Sequence, residues 1–220
     1  MTVDDVRTFH RRHYNSGAIA VTASGNVDPE RFTELVGMVF DGSPPRQRQR
    51  PRTAPRSGSV SERVVHRPVQ QAHVLWHQQT SGLHSRDRAP LNLLNVILGD
   101  SVLSRLNYRI RETSGLAYSI YSQLQLFTDV GMLSIYAGLD GTMVNRTERL
   151  ITTELTKLAR EGVRPTELKR AKEQLRASKI MSLESLSSRM NLLGKGMMDA
   201  RVPEDPFQTI AEIDFDTVAP

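Results

Sequence analysis

The chain has no cysteine and no long apolar run, and each absence excludes a class of protein. Zero cysteine among 220 residues rules out a disulfide framework and thiolate chemistry. No apolar stretch approaches the ~20 residues that a membrane helix needs. The N-terminus, "MTVDDVRTFHRRHY", lacks the apolar segment of a secretory signal peptide. We therefore expect a cytoplasmic protein with no membrane partner.

Positive charge is the most biased feature of the composition. The net charge is +5 and the isoelectric point is about 9.8, and much of the excess lies in "RQRQRPRTAPR", residues 46–56. A basic run can tether a protein to nucleic acid. This run has no interleaved aromatic residue to stack on a base, and its prolines interrupt regular structure. It is therefore predicted to be a solvated linker, and we expect no nucleic-acid partner.

The first 41 residues are predicted to form a helix, a strand and a second helix. Thr2 and Asp5 have the spacing of a capping pair at a helix start. The apolar run Ala18–Gly25 is typical of a buried strand. Pro29 suits the first turn of the helix that follows.

Residues 60–220 alternate between strand and helix patterns in blocks. Two strands come first, then two helices, then two strands joined by a short turn at Asp129-Val130-Gly131, and finally a series of helices. This order predicts an α+β fold in which helices cover one side of an antiparallel sheet. The predicted strands are Ser59–Pro68, Gln71–Thr80, Leu116–Phe127 and Met132–Leu139, and the predicted helices are Ala89–Leu98, Ser101–Arg111, Gly141–Arg160, one from Pro165 onward, one through "SLESLSSRMNLLGKGMM", and Glu204–Ile213.

The six histidines are predicted to have structural or surface roles rather than to bind a metal. His10 and His13 lack a glutamate between them and are flanked by arginines, whose charge opposes a cation. His73 and His77 alternate along a predicted strand, so they lie on one side but about 13 Å apart, which is too far for one ion. The zinc-binding pattern His-x-x-Glu-His occurs nowhere in the chain.

Five short motifs follow one another in the middle of the chain. They are Leu98-Gly99, Ser104-Arg105-Leu106, Arg111-Glu112, Gly115–Ser119 and Asp129-Val130-Gly131. In this order they resemble the M16 metallopeptidase family, the group that includes pitrilysin, insulinase and the mitochondrial processing peptidase. The upstream segment "FHRRHYNSGAIAVTASGNVDPERF" and the downstream segment "EGVRPTELKRAKEQL" are similar to the same family. The resemblance thus covers nearly the whole chain.

The resemblance implies a division of the chain into parts of two homologous repeats. In this family the first repeat holds zinc through His-x-x-Glu-His, and the second repeat holds no metal. Residues 1–41 would be the end of the first repeat, 42–59 a Pro/Arg-rich linker, and 60–220 most of the second repeat without its final elements. We therefore expect no cofactor in this chain and zinc in a partner half.

The resemblance also implies a site, because the family's second repeat supplies an arginine and a tyrosine to the substrate. These residues are Arg111 and Tyr118 here. A guanidinium and a phenol both donate hydrogen bonds, so they suit a substrate carbonyl that becomes an oxyanion. Gly115 can take the left-handed turn between them. Without the resemblance, Arg111 would be a surface arginine paired with Glu112 or the helix end, and Tyr118 a half-buried strand aromatic.

Two functions follow from the resemblance. In the first, the chain is the substrate-binding C-terminal half of a zinc-dependent endopeptidase that hydrolyses peptides, inactive without a half that carries His-x-x-Glu-His. That half would belong to the same chain, of which this would be a fragment, or to a partner chain. In the alternative, the chain is a non-catalytic subunit with a structural or interaction role. Retention of Arg111 and Tyr118 favours the first.

Overall fold

The structure, a computed structural model, describes residues 1–14, 19–41, 55, 58 and 61–198. The predicted linker, apart from Pro55 and Gly58, and the predicted helix Glu204–Ile213 lie outside the described residues. The described residues fall into two compact units, one made of those between 1 and 41 together with 179–198, and one made of those between 55 and 178. The assignment of segments to two repeats stays a prediction.

The first unit begins with two helices whose starts confirm the predicted caps. Helix α1 (Val3–His13) opens with a capping box, in which the Thr2 hydroxyl accepts from the Asp5 amide and the Asp5 carboxylate accepts from the Thr2 amide. Helix α2 (Pro29–Phe40) starts with proline behind a capping Asp28.

The predicted strand Ala18–Gly25 is wrong for the residues that the structure describes. Residues 19–25 belong to no strand, and the Thr22 hydroxyl donates to the Met190 carbonyl at 3.2 Å. A strand needs a hydrogen-bonded neighbour, and the described part of this unit contains no second strand. The apolar pattern thus led to a predicted strand, but the described part of this unit has no other strand with which it could pair.

The second unit contains a three-stranded antiparallel sheet in the order β1–β3–β2. The strands β1 (Ala72–Thr80), β2 (Ala117–Leu126) and β3 (Gly131–Leu139) confirm three of the four predicted strands. Strands β2 and β3 form the predicted hairpin. Both outer strands pair with β3, so β1 and β2 are the edges.

The core lies on one face of this sheet, under two helices, as predicted. Helices α3 (Arg88–Leu98) and α4 (Val144–Glu161) supply Leu98 and Ile151, which pack against buried strand residues. Gly99 ends α3 so close to β2 that a Cβ at this position would clash with the Ser122 backbone. The other fully enclosed side chains of the cluster include Leu106, Ile110, Ala137 and Leu139.

Two predictions for this unit need correction. Residues 61–68 of the predicted strand Ser59–Pro68 form no strand, and every one of them is exposed. They have no strand partner, since within the described residues β1 pairs with β3 alone. The predicted helix Ser101–Arg111 starts later, at Arg105, and continues as a π-helix over Asn107–Thr113. A run of turns over residues 101–104 comes first, where the Ser104 amide donates to the Ser101 carbonyl.

The remaining helices agree with the predicted ones except at their ends. A 3-10 turn, Gly141–Met143, precedes α4. Helix α5 (Pro165–Glu184) and helix α6 (Leu186–Met198) follow, and α5 passes from the second unit into the first. None of the helices in the described part of the chain has the length and apolarity to span a bilayer.

Candidate functional site

A tight turn joins the π-helix to β2, and the two predicted site residues stand on either side of it. Gly115 has φ of +60°, the left-handed conformation that was predicted for it. Its amide donates to the Arg111 carbonyl at 3.1 Å, and the Leu116 amide donates to the Ile110 carbonyl at 3.0 Å. These bonds occupy carbonyls that a helix end would otherwise leave free.

Arg111 lies on the outer side of the π-helix. Asn107 and Ile110 are buried on the inner side, whereas the Arg111 side chain is 50% exposed. Its Nε lies 3.7 Å from Glu112 Oε1, a long and solvent-exposed ion pair. The pairing expected of a surface arginine is therefore present, but such pairs contribute only about 0–1 kcal/mol and release the guanidinium readily. A π-helix is rare and is often found at functional sites.

Tyr118 lies in a β-bulge at the start of β2. Ala117 pairs with Leu139 and Ser119 pairs with Gly138, so Tyr118 is an extra residue. Further along the strand Ile120 is buried, and strict alternation would place Tyr118 on that same core face. The bulge shifts the alternation by one residue, and the Tyr118 side chain becomes 65% exposed. It is thus not the half-buried aromatic of the alternative interpretation.

The face of the sheet away from the core carries further aromatic and polar groups. Tyr121 stacks on Tyr136 with ring centroids 4.9 Å apart, and the Tyr136 hydroxyl is hydrogen-bonded to His73 Nδ1 at 2.8 Å. Neither tyrosine was predicted to be a site residue. Strand alternation predicts that Tyr121 lies on the face opposite Ile120. It does not predict that Tyr118 lies on that face too, because the bulge that places it there cannot be read from the pattern.

Several histidines are hydrogen-bonded to hydroxyl groups or stacked on aromatic rings. His77 Nδ1 bonds the Ser134 hydroxyl at 2.8 Å, and the His10 ring stacks on Tyr14 at 4.9 Å. Within residues 1–14, 19–41 and 61–198, no group of three histidine, aspartate or glutamate side chains is arranged to hold an ion.

Charged groups near the π-helix have shifted pKa values with identifiable causes. The hydrogen bond from Arg105 lowers the pKa of Glu167, and the same bond raises the pKa of Arg105 further above its usual range. Burial raises the pKa of Asp100, which directly follows the glycine that ends α3. All three pKa shifts arise where α5 packs beside the loop that leads into the π-helix.

A family model described as "Peptidase M16 inactive domain" matches residues 1–175 of the chain. The chain belongs to the peptidase M16 inactive-domain family. The match includes the π-helix, the bulge and the turn between them. Relatives from Mycobacterium bovis and Bacillus subtilis that match the chain are described as uncharacterized zinc proteases.

Three relatives illustrate the range of similarity. An uncharacterized zinc protease of Mycobacterium tuberculosis is 36% identical over 224 residues, which span 99% of this chain and 51% of the relative. One from Streptomyces coelicolor is 34% identical, over 89% of this chain and 44% of the relative. One from Bacillus subtilis is 30% identical, over 87% and 46%. The chain thus spans about half the length of the relatives it matches.

Solved structures confirm the fold. A protease from Helicobacter pylori superposes with a TM-score of 0.77 at 20% identity, over 98% of this chain and 54% of that one. A peptidase M16 inactive domain from Pseudomonas fluorescens gives 0.74 at 20% identity, over 96% and 50%. The mixed helical and antiparallel architecture is therefore that of M16 inactive domains.

Proposed function

We propose that this chain is the metal-free, substrate-binding part of a zinc-dependent M16-type endopeptidase, in which Arg111 and Tyr118 hold a carbonyl of the peptide substrate. The observation that carries the proposal is the exposure of both side chains at two local irregularities, a π-helix and a β-bulge, on either side of one left-handed glycine. The bulge turns outward the Tyr118 side chain, which strict alternation would direct to the core.

The chemistry of the two side chains suits this role. Hydrolysis of a peptide bond makes the scissile carbonyl oxygen negatively charged, and fixed hydrogen-bond donors stabilise that charge. Arg111 offers a permanent cation with several N–H donors, and Tyr118 offers one phenolic O–H. A loosely paired Arg111 loses little when it exchanges the Glu112 carboxylate for substrate.

The activation of water would be supplied by another part of the protein. The described residues hold no cluster suited to a metal, whereas the relatives are called zinc proteases and are about twice as long as this chain. A zinc-bearing half with His-x-x-Glu-His, in the same polypeptide or in a partner, would provide the metal and the base. The proposal thus includes a peptide substrate, a zinc-bearing half and a cytoplasmic location.

The alternative is a non-catalytic subunit that pairs with an active partner. Its support is the 3.7 Å pair between Arg111 and Glu112, which gives Arg111 a purely local role. Tyr118 is 65% exposed at a bulge that turns it away from the core, so we favour the substrate-binding function.

The test is made in the longer protein that unites this chain with a zinc-bearing half. Arg111→Ala and Tyr118→Phe are expected to lower peptide turnover by roughly 10- to 1,000-fold, the range for lost oxyanion donors, with unchanged zinc content. Arg109→Ala and Tyr108→Phe are matched controls, because both residues are exposed on the same helix. Normal turnover in both site variants would contradict the proposal.

A further inference from the structure

A buried ion pair anchors the start of the helix that carries Arg111. Arg105 Nε donates to Glu167 Oε1 at 3.0 Å and Arg105 Nη2 donates to Glu167 Oε2 at 2.7 Å. The two side chains are only 14% and 18% exposed. Arg105 Nη2 also donates to the Gly162 carbonyl at 3.1 Å. This two-pronged, bidentate geometry fixes both the distance and the orientation of the guanidinium relative to the carboxylate, which a single contact would not do.

The ion pair belongs to a larger set of bonds along one face of α5. Glu167, Arg170 and Gln174 are spaced so that they lie on the same side of the helix. Arg170 Nη2 donates to the Leu103 carbonyl at 2.9 Å, and Gln174 Nε2 donates to the Asp100 carbonyl at 3.4 Å. Helix α5 therefore holds the whole loop that enters the π-helix, and the Arg105 pair is its last and strongest contact.

Compared with the contacts to α5, the polar contact between the π-helix and α4 is weak. Arg109 Nε lies 3.8 Å from Glu154 Oε1. Three buried oxygens, Ser104 Oγ, Asn107 Oδ1 and Thr147 Oγ1, find no hydrogen-bond partner within the described part of the chain. Apolar packing of Leu106 and Ile110 buries the helix, but the hydrophobic effect is non-directional and does not by itself set an orientation. The rotational position of the helix therefore depends on its anchored start.

We propose that Arg105 is a positioning residue, whose ion pair with Glu167 sets the direction in which Arg111 presents its guanidinium. Arg111 follows six residues later, about 9 Å along a helix, so a rotation at the anchor displaces its side chain directly. This inference rests on the proposed function, in which Arg111 binds substrate. The lowered pKa of Glu167, caused first by Arg105, agrees with a tight pair.

The first part of the test uses this chain and needs no activity. Arg105→Lys keeps the charge and loses the two-pronged geometry, and Glu167→Gln keeps the shape and loses the charge. Hydrogen exchange of residues 106–116 is expected to become roughly tenfold faster in both, with no change in β3, since only local opening is affected. Arg109→Lys is the matched control and should leave exchange unchanged.

Exchange that stays at the wild-type rate in residues 106–116 would overturn the proposal. Equal acceleration in β3 would overturn it as well, because it would show general destabilisation rather than a loss of position. Two different variants are used so that poor folding of one leaves the other to decide.

The second part uses the longer protein with its zinc-bearing half. Arg105→Lys is expected to lower kcat roughly 10- to 100-fold, with a smaller change in KM, because a misplaced donor costs more in the transition state than in binding. In an Arg111→Ala background the same change should cost nothing more, because the two residues act as one unit. Additive losses would overturn the positioning role. If Arg111→Ala and Tyr118→Phe both leave turnover unchanged, the proposed function fails, and the exchange experiment still decides whether Arg105 holds the helix.

Discussion

The two ends of the helical stretch between residues 105 and 113 are opposite in character. At its start, Arg105 is mostly buried and donates three hydrogen bonds, two to the Glu167 carboxylate and one to the Gly162 carbonyl. Near its end, Arg111 is half exposed and has one loose partner. The same residue type thus serves the fold at one end and remains available at the other. The environment of each arginine determines this difference. A mostly buried guanidinium held by several acceptors loses more free energy when it exchanges its partners.

The largest loss of stability is expected when the apolar packing beneath the helix is removed. Ile110→Ala is expected to lower the free energy of unfolding by about 2–5 kcal/mol, because the side chain is fully buried in the core. Tyr108→Ala, on the exposed side of the same helix, should change it by no more than about 0.5 kcal/mol. Urea unfolding of both variants measures the difference. Similar losses in the two would contradict the assignment of inner and outer sides.

The next largest effect is expected from the anchor. Glu167→Ala should cost roughly 2–4 kcal/mol of unfolding free energy, since it leaves a mostly buried guanidinium without its partner. Glu112→Ala removes the exposed partner of Arg111 and should cost at most about 1 kcal/mol. Chemical denaturation at neutral pH compares them. A larger loss for Glu112→Ala would reverse the comparison.

Acid should weaken the anchor in a defined direction. The pKa of Glu167 is lowered from its ordinary value of 4.5 in the folded protein. Its contribution to stability is therefore complete above that value and is lost as pH falls through the lower folded-state pKa. The stability difference between wild type and Glu167→Gln should shrink between pH 7 and pH 3. A difference that stays constant over this range would show that ionised Glu167 adds nothing.

A smaller effect is expected at the turn that separates Arg111 from Tyr118. Gly115→Ala should cost about 1–2 kcal/mol, because φ of +60° is unfavourable for a residue with a Cβ. Gly141→Ala is the control, since a Cβ there is equally free of contacts but φ is not positive. Thermal unfolding of both variants separates backbone strain from crowding. Equal midpoints would argue against the left-handed turn.

Most of the second unit could be predicted from the sequence because its elements are strongly patterned. The apolar runs of β1, β2, β3 and α3 gave their positions within a few residues. The two wrong strands, Ala18–Gly25 and Ser59–Pro68, have comparable patterns. They failed because a strand is completed by a neighbour, which a local pattern does not contain.

The local structure around the candidate site could be predicted only in part. The motifs pointed to Arg111 and Tyr118, and the left-handed Gly115 followed from its place at a helix end. The π-helix was not predictable, because its extra residue per turn leaves the local composition unchanged. The bulge was not predictable either, since "LAYSIYS" fits both alternations of a strand and only pairing with β3 decides which one Tyr118 takes.

The central claim is that Arg111 and Tyr118, on either side of Gly115, bind substrate. The most direct measurement is steady-state peptide hydrolysis by the longer, zinc-loaded protein carrying Tyr118→Phe, beside Tyr108→Phe. Removal of one exposed hydroxyl should leave stability unchanged within about 0.5 kcal/mol in both. The account predicts a fall in kcat of roughly tenfold or more for Tyr118→Phe alone, with full zinc content. Equal activity of the two variants would contradict it.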